Sequence, residues 1–195
     1  MILGVTGGIG AGKSTVLKIL QQEYDAKLIL ADDVAKQLMQ PGEANYTNIV
    51  NAFGKGILKE DKTIDTALLA SRVFANPLET LQLNAITHPN VRVRIEWMVK
   101  SIRDVNPDEL IVIEAALLSE GHLSALCDEI WYVYADEQTR INRLMQQRGY
   151  SYERCCQTMA RQKSDEQFRA EATAVIDNSA DIENTRKIVK EKLNN

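Results

Sequence analysis

The sequence predicts an α/β fold in which five parallel strands form a doubly wound sheet with helices on both faces. Short apolar runs recur along the chain, and segments with the apolar spacing of helices lie between them. Ligands of such a sheet bind at the carboxyl ends of its strands, so the residues after each run are the first candidates for a functional site. The five apolar runs are residues 2–6, 27–30, 110–114, 129–134 and 174–177.

The first run leads into a glycine-rich loop, residues 7–15, that has the complete G-x-x-x-x-G-K-[ST] spacing. In such a loop the amides surround phosphate oxygens at a helix N-terminus, the Lys13 ammonium reaches the terminal phosphates, and the Ser14 hydroxyl can bind Mg²⁺. A plain tight turn is the alternative, but the strand–loop–helix context favours a nucleoside triphosphate site. The residues that we expect to contact the nucleotide here are Gly8, Gly10, Ala11, Gly12, Lys13, Ser14 and Thr15.

The second run ends at Ala31-Asp32-Asp33 and is followed by a long region without a strand pattern. From residue 34 to about residue 102 the apolar spacing is helical throughout. We therefore predict a helical insertion, residues 32–107, that binds the acceptor substrate. Turn-forming residues divide it at Pro41-Gly42, Gly54-Lys55-Gly56, Asn76-Pro77 and His88-Pro89.

The last three runs return the chain to the sheet. Residues 110–114 form the continuous apolar run that is typical of a buried parallel strand. The predicted core of a single domain, residues 1–195, therefore consists of residues 1–31, 108–137 and 170–195.

A basic segment separates the last two strands. Residues 140–163 contain six cationic residues and a single acidic residue, Glu153, in a chain whose net charge is −4. Two short helices that break at Gly149-Tyr150-Ser151 would form a lid, about residues 138–169, able to close over a triphosphate. A solvated basic face is the alternative. The complete expected fold is a P-loop NTPase-type α/β domain with a helical substrate-binding insertion and a small basic lid.

Composition limits the partners of the protein. The acidic net charge argues against nucleic acid and anionic membranes, which require a basic face. No apolar run approaches the length of a membrane span, and the first residues do not resemble a signal peptide, so we expect a cytoplasmic protein, either a monomer or a weak homo-oligomer. The three cysteines, Cys127, Cys155 and Cys156, lack metal-site spacing, and we expect neither a disulfide nor zinc.

The class of phosphate-loop protein follows from what each class requires. Phosphoryl transfer to an alcohol needs the loop, Mg²⁺, a carboxylate near the acceptor and cations over the γ-phosphate, and the chain offers candidates for all four. A GTPase switch would require an Asn-Lys-x-Asp segment that the sequence lacks. A motor or transporter ATPase would require a chain longer than 195 residues.

Along its whole length the chain resembles the dephospho-CoA kinase family, enzymes that phosphorylate the ribose 3′-hydroxyl of dephospho-CoA with ATP. The opening of the chain is similar to the family's G-L-T-G-G-I-G-S-G-K-S-T segment. This segment is more specific to one family than the phosphate loop alone, which many families share. The matching segments are residues 4–15, Ala31-Asp32, Pro41-Gly42, Phe53-Gly54, Ile57-Leu58, Val73-Phe74, Leu83-Asn84, His88-Pro89, Leu117-Leu118 with Glu120, Gln162, and residues 175–178.

The resemblance implies roles for the residues that chemistry requires. Asp32 should accept or orient the proton of the acceptor hydroxyl, with Lys13 and Arg143 as its catalytic partners. Helix capping is the alternative role of Asp32, and we assign that cap to its neighbour Asp33. Glu114 should hold Mg²⁺ together with Ser14, unless it only bonds the hydroxyls of the loop.

Other residues are assigned to the two substrates. Arg143 and Arg148 should bind the γ-phosphate, since a guanidinium binds phosphate oxygens bidentately. Asn178 should contact the adenine of ATP, with an Asx turn in residues 177–179 as the alternative. The residues expected to bind the acceptor are Asp32, Arg72, His88, Leu117 and Glu120; a surface ion pair is the alternative for Arg72, and a structural role at a helix start is the alternative for His88.

The chain also departs from the family pattern. Leu30 replaces the first Asp of the D-A-D segment, Ala116 a Pro, Glu114 an Asp and Arg140 a Gln, and one residue is added between Arg143 and Arg148. Two other hypotheses stay open: a kinase for another small alcohol or nucleotide, and a nucleotide-binding scaffold that has lost its kinase chemistry.

Overall fold

The sheet has the predicted architecture. In the computed structural model, which describes residues 1–119 and 122–194, five parallel strands lie in the order β2-β3-β1-β4-β5. The fold class predicted from the apolar runs is confirmed, and four of the five runs match a strand residue for residue, whereas β3 begins one residue late. The strands are β1 Ile2–Thr6, β2 Lys27–Leu30, β3 Ile111–Glu114, β4 Glu129–Tyr134 and β5 Ala174–Asp177.

Helices cover both faces of the sheet and build the two additions to it. The predicted helical region after β2 holds four α-helices, and one isolated antiparallel bridge joins Leu58 to Ile64. The α-helices are α1 Lys13–Tyr24, α2 Ala31–Leu38, α3 Ala44–Phe53, α4 Thr66–Ala75, α5 Pro77–Val105, α6 Glu137–Arg148, α7 Tyr152–Ala160, α8 Asp165–Glu171 and α9 Ile182–Leu193. Within the described parts of the chain, none of the helices is long and apolar enough to cross a membrane.

The central strands are buried on both faces because their side chains alternate between two apolar layers. On one face Ile111 and Ile113 pack with Ile95 of α5, and on the other Val112 packs with Val16 of α1. This two-sided burial explains the continuous apolar sequence of β3. It also brings the carboxyl ends of β1, β2 and β3 together, since parallel register pairs Val5 and Leu30 with the same residue, Glu114.

The insertion has an apolar core of its own. Its buried side chains come from α3, from α4 and from the segment between them, and two residues of α5 pack against them. The buried residues are Ile49 and Phe53 of α3, Ile57 and Ile64 of the connecting segment, and Leu69 of α4; Leu83 and Ile86 of α5 pack on them. The predicted bounds of the insertion and of the lid remain predictions.

Helix α2 begins earlier than the sequence indicates. It starts at Ala31, directly after β2, with Leu30 as its N-cap residue and no side-chain cap. The prediction that Asp33 caps this helix is therefore wrong: Asp33 lies inside the first turn, and its carboxylate accepts a hydrogen bond of 2.8 Å from the Lys36 ammonium. Asp32 is not a cap either, so its side chain is available at the carboxyl end of β2.

Helix α5 continues through the predicted break at His88-Pro89. Proline removes one backbone hydrogen bond from a helix interior, which disfavours this position. Here the cost is offset because Val91 and Ile95 bury their side chains in the sheet core directly after the proline. The alternative that placed His88 at a helix start is therefore wrong, and α5 instead runs from the insertion core to the sheet core as one helix of 29 residues.

The basic segment folds as predicted up to its break. Helix α6 ends at Arg148, and its C-cap residue Gly149 adopts a left-handed conformation with φ of 62°. Helix α7 follows with Ser151 as its N-cap. The two helices pack through Ile141, Leu144 and Cys155. Ile9, in the loop after β1, packs against the same cluster, so α6 is held against that loop.

Candidate active site

The phosphate loop connects β1 to α1 and depends on glycine at its close contacts. Gly12 has a left-handed φ of 88°, and a Cβ atom placed there would lie 2.1 Å from Nδ2 of Asn178. Gly7 has a φ of 152°, and a Cβ atom there would lie 2.5 Å from the carbonyl oxygen of Val133. Any larger residue at these positions would therefore push the loop away from the sheet.

A cavity of about 520 Å³ opens above this loop. It is lined by residues of β2, β3, the loop and α6, which are far apart in the sequence. Nearly all predicted nucleotide residues line it, Ala11 and Asn178 being the exceptions. The lining includes Gly8, Gly10, Gly12, Lys13, Ser14, Thr15, Asp32, Glu114, Arg143, Arg148 and Gln162.

Lys13 lies across the mouth of the loop. Its ammonium donates a hydrogen bond of 2.8 Å to the carbonyl of Gly7 and lies 3.7 Å from the carboxylate of Glu114. Burial lowers the pKa of Lys13, while the nearby carboxylates of Glu114 and Asp32 act in the opposite direction. The partly buried ammonium is thus balanced by the two neighbouring carboxylates.

Glu114 ends β3 as a half-buried carboxylate. Burial raises the pKa of Glu114, the ammonium of Lys13 opposes this shift, and the charge of Asp32 adds to it. Among the described residues Glu114 forms an ion pair with Lys13 and no hydrogen bond with Ser14 or Thr15. Ser14 lies at the exposed first turn of α1 and lines the same cavity.

These residues suit magnesium in their chemistry. Carboxylate and hydroxyl oxygens are hard donors, which Mg²⁺ prefers. No group of three or more His, Cys, Asp and Glu side chains with metal-site geometry occurs in residues 1–119 and 122–194. A Mg²⁺ ion at this position would therefore combine Ser14 and one carboxylate with phosphate and water oxygens, as Mg²⁺ usually does at nucleotide sites.

A second, smaller cavity of about 250 Å³ adjoins the first on the side of the insertion. It is mostly apolar and takes its polar groups from Asp32, Thr87 and His88. Leu117, after β3, lines it as well. Asp32 and Ala116 line both cavities, so the Asp32 carboxylate lies at their boundary.

Arg143 and Asn178 are tied to the outside of the phosphate loop. Arg143 donates hydrogen bonds to the carbonyls of Ala11, at 3.2 Å, and Asn178, at 2.7 Å. The side chain of Asn178 donates to the carbonyl of Ala11 at 2.7 Å and accepts from the hydroxyl of Thr185 at 2.8 Å. Asn178 therefore supports the loop from behind, and the alternative Asx turn is also present, since the Ser179 amide bonds the side chain of Asp177.

Of the remaining predicted residues, one lies away from both cavities, one lines the nucleotide cavity and one lies outside the described chain. Arg72 forms the ion pair considered as its alternative, with two hydrogen bonds to Glu79 at 2.7 and 3.0 Å, and it lines neither cavity. Arg148 lines the nucleotide cavity, and its side chain makes no hydrogen bond or ion pair with residues 1–119 or 122–194. Glu120, predicted to bind the acceptor, lies outside the described residues.

The sequence reasoning missed part of the lid contact. Arg140 donates a hydrogen bond of 2.8 Å from Nε to the carbonyl of Ile9, and Gln162 and Gln147 line the nucleotide cavity. The spacing of residues 140, 143 and 147 places them on one face of α6, and that signal was available in the sequence.

Comparison with known proteins assigns the chain to a family. The family described as dephospho-CoA kinase matches residues 1–184. The chain belongs to the dephospho-CoA kinase family. It is 42% identical over 185 residues to the dephospho-CoA kinase of Carboxydothermus hydrogenoformans, covering 95% of this chain and 89% of that one. It is 38% identical over 190 residues to the dephospho-CoA kinase of Geobacter sulfurreducens, covering 97% and 95%.

Solved structures agree with the fold. A Thermus thermophilus protein superposes with a TM-score of 0.80 at 26% identity, covering 100% of this chain and 96% of its own. The dephospho-CoA kinase of Campylobacter jejuni superposes with a TM-score of 0.72 at 24% identity, covering 99% and 95%. Shikimate kinase from Acinetobacter baumannii gives 0.52 at 11% identity, covering 98% and 90%. The last two likenesses bear on the fold alone.

Proposed function

We propose that this chain transfers the γ-phosphoryl group of ATP to the ribose 3′-hydroxyl of dephospho-CoA, which gives CoA and ADP. The observation that carries the proposal is the position of Asp32 between the cavity above the phosphate loop and the cavity beside the insertion. A transferase needs a group at this junction, where the acceptor hydroxyl meets the γ-phosphate. Membership of an ATP-dependent kinase family agrees with it.

The phosphate loop would hold the triphosphate. Residues at the start of α1 line the cavity, and Lys13 would exchange its contact with the Gly7 carbonyl for phosphate oxygens. Burial disfavours the ammonium form of Lys13, whereas a triphosphate beside it would stabilise that form. The attraction between the ammonium and the phosphates would therefore contribute to the binding of ATP. Gly8, Gly10, Ala11, Gly12 and Thr15 complete the proposed ATP contacts.

Asp32 would act on the acceptor. Its exposed carboxylate belongs to the first turn of α2 and carries no capping bond, so it is free to accept the proton of the 3′-hydroxyl or to orient that hydroxyl. The oxygen then attacks the γ-phosphorus as the bond to the β-phosphate oxygen breaks, and ADP leaves. The proton passes to Asp32.

The lid would supply the cations for this step. Arg148 lies on the cavity wall and can reach phosphate oxygens directly, whereas Arg143 must first exchange a bond to a loop carbonyl. Guanidinium groups there would stabilise the charge that develops on the γ-phosphoryl group and would exclude water, which otherwise competes with the acceptor. Asn178 remains a proposal as an adenine contact. Its side chain, its N–H and its carbonyl are all hydrogen-bonded within the protein, so the contact would require that one of these bonds be exchanged.

Magnesium is the proposed cofactor. When bound, Mg²⁺ neutralises phosphate charge and orients the triphosphate for transfer. Ser14 and Glu114 are the residues that we propose to hold it. Glu114 would give up its pairing with Lys13 as the phosphates arrive.

The cavity of 250 Å³ is the proposed entrance for the acceptor. His88 and Leu117 would contact dephospho-CoA there, the first through a hydrogen bond and the second by apolar packing. Arg72 and Glu120 remain proposals for the same substrate; a contact by Arg72 would require that it leave Glu79. We further propose a cytoplasmic protein that is a monomer or a weak homo-oligomer.

The deciding experiment is an assay of ADP release with ATP and Mg²⁺, in which dephospho-CoA, CoA, adenosine and AMP are compared as acceptors. ADP formation that depends on dephospho-CoA, with CoA identified by mass, is the expected result. ADP formation with adenosine or AMP instead would indicate a different alcohol or nucleotide substrate. Tight binding of ATP without acceptor-dependent ADP would support a binding protein that has lost its kinase chemistry.

A further inference from the structure

Gln162 joins the lid to the tip of the phosphate loop. It lies between α7 and α8 and forms part of the wall of the nucleotide cavity. Its Oε1 atom accepts two hydrogen bonds, one of 2.9 Å from the backbone N–H of Ile9 and one of 3.0 Å from Nη2 of Arg140. A side chain of the lid is thereby fixed directly beside the triphosphate site.

These two bonds determine which way the amide of Gln162 faces. A backbone N–H and a guanidinium can only donate, so the atom that meets both of them must be the amide oxygen. The NH₂ group of Gln162 must then occupy the other position on the amide carbon, pointing away from Ile9 and Arg140. Neither of its hydrogens has an acceptor among residues 1–119 and 122–194, and the residue borders the cavity above the loop.

Arg140 secures this orientation from behind. Its Nε donates to the Ile9 carbonyl at 2.8 Å while Nη2 donates to Gln162, so both backbone groups of Ile9 are held by the lid. Gly8 makes room for this contact, because a Cβ atom there would lie 2.4 Å from Nη2 of Arg140. Arg140 itself does not line the cavity.

We propose that Gln162 is a further triphosphate-binding residue, whose NH₂ group donates to a phosphate oxygen of ATP, and that Arg140 is the residue that positions it. The proposal rests on the proposed function, which places a triphosphate in this cavity. A hydrogen bond from a neutral amide to a charged phosphate is worth enough to change affinity about tenfold. The contact also links occupation of the site to the position of the lid.

Substitution of Gln162 by Glu separates ligand binding from support of the loop. Gln162→Glu keeps oxygen acceptors for the Ile9 amide and for Arg140, and it removes the donor and places a negative charge beside the phosphates. The bonds that support the loop would survive this change, since the carboxylate would bond Arg140 more strongly. Gln162→Ala removes the donor and the support together.

The measurement is the dissociation constant of ATP, ADP and AMP by titration calorimetry, with thermal unfolding as a check of folding. We expect Gln162→Glu to weaken ATP binding by about tenfold or more, and by more than Gln162→Ala, with the loss decreasing from ATP to AMP. Gln157→Ala is the matched control, an exposed glutamine of α7 outside the nucleotide cavity. It should bind ATP like the wild type.

Arg140 is tested by its coupling to Gln162. Arg140→Ala should weaken ATP binding, and adding Gln162→Ala should weaken it less than the two separate losses multiplied together. Equal ATP affinity of Gln162→Glu and the wild type would overturn the inference while leaving the kinase proposal intact. Failure of the wild type itself to bind ATP would overturn both.

Discussion

Asn178 provides a quantitative test of how the phosphate loop is held in place. Its buried side chain donates to the Ala11 carbonyl at 2.7 Å and accepts from Thr185 at 2.8 Å. Asn178→Ala removes both bonds and leaves the Ala11 carbonyl with only the longer bond from Arg143. With about 0.5–1.5 kcal/mol for each bond and a further penalty for the carbonyl, the expected loss is about 2–4 kcal/mol in the free energy of unfolding.

The assay is urea or thermal unfolding of the protein without nucleotide. A loss of this size corresponds to a decrease of about 5–12 °C in Tm for a chain of this length. Asn184→Ala, which changes an exposed asparagine of α9, is the control and should shift Tm by less than about 2 °C. If Asn178→Ala leaves the stability without nucleotide unchanged and weakens only ATP binding, the side chain acts on the ligand and our account of the loop is refuted.

Further predictions concern the chemistry and the core. Lys13→Ala should abolish transfer in the ADP assay, and Asp32→Asn should lower turnover by about two to four orders of magnitude with ATP binding nearly intact; full activity of Asp32→Asn would contradict its assignment. Asn90→Ala should lower the free energy of unfolding by about 1–3 kcal/mol, since Asn90 donates to the fully buried Asn45, whose own NH₂ group has no partner among the described residues; an unchanged urea midpoint would argue against this bond. Burial raises the pKa of Cys127 to about 12, so at pH 8 this thiol should react with an alkylating reagent far more slowly in the folded protein than in urea, as peptide mass mapping would show.

The fold was largely predictable because its strands are continuous apolar runs of sequence. Residues 129–134 and 174–177 have the same limits in the sequence prediction and in the structure. The errors occur where packing outweighs local preference. Pro89 looks like a helix breaker, but the buried residues after it keep α5 intact.

The candidate site was predictable where a residue follows a strand or belongs to a motif. Lys13, Asp32 and Glu114 have such positions, and all three line one cavity. Arg72 lacks such a position. Asn178 directly follows β5, but the partner of its side chain cannot be read from local spacing. Glu79 lies seven residues after Arg72, on the next helix, whereas the carbonyl bonded by Asn178 lies 167 residues away in the chain.

The uninterrupted course of α5 makes the insertion and the sheet one cooperative unit. A helix of 29 residues is about 44 Å long, and its first half contributes Leu83 and Ile86 to the core of the insertion while its second half contributes Ile95 to the core of the sheet. Loss of packing around one half removes the support of the other half. A cavity made in the insertion by Ile49→Ala should therefore lower the single melting temperature of the whole molecule, and a separate early transition of the insertion should not occur.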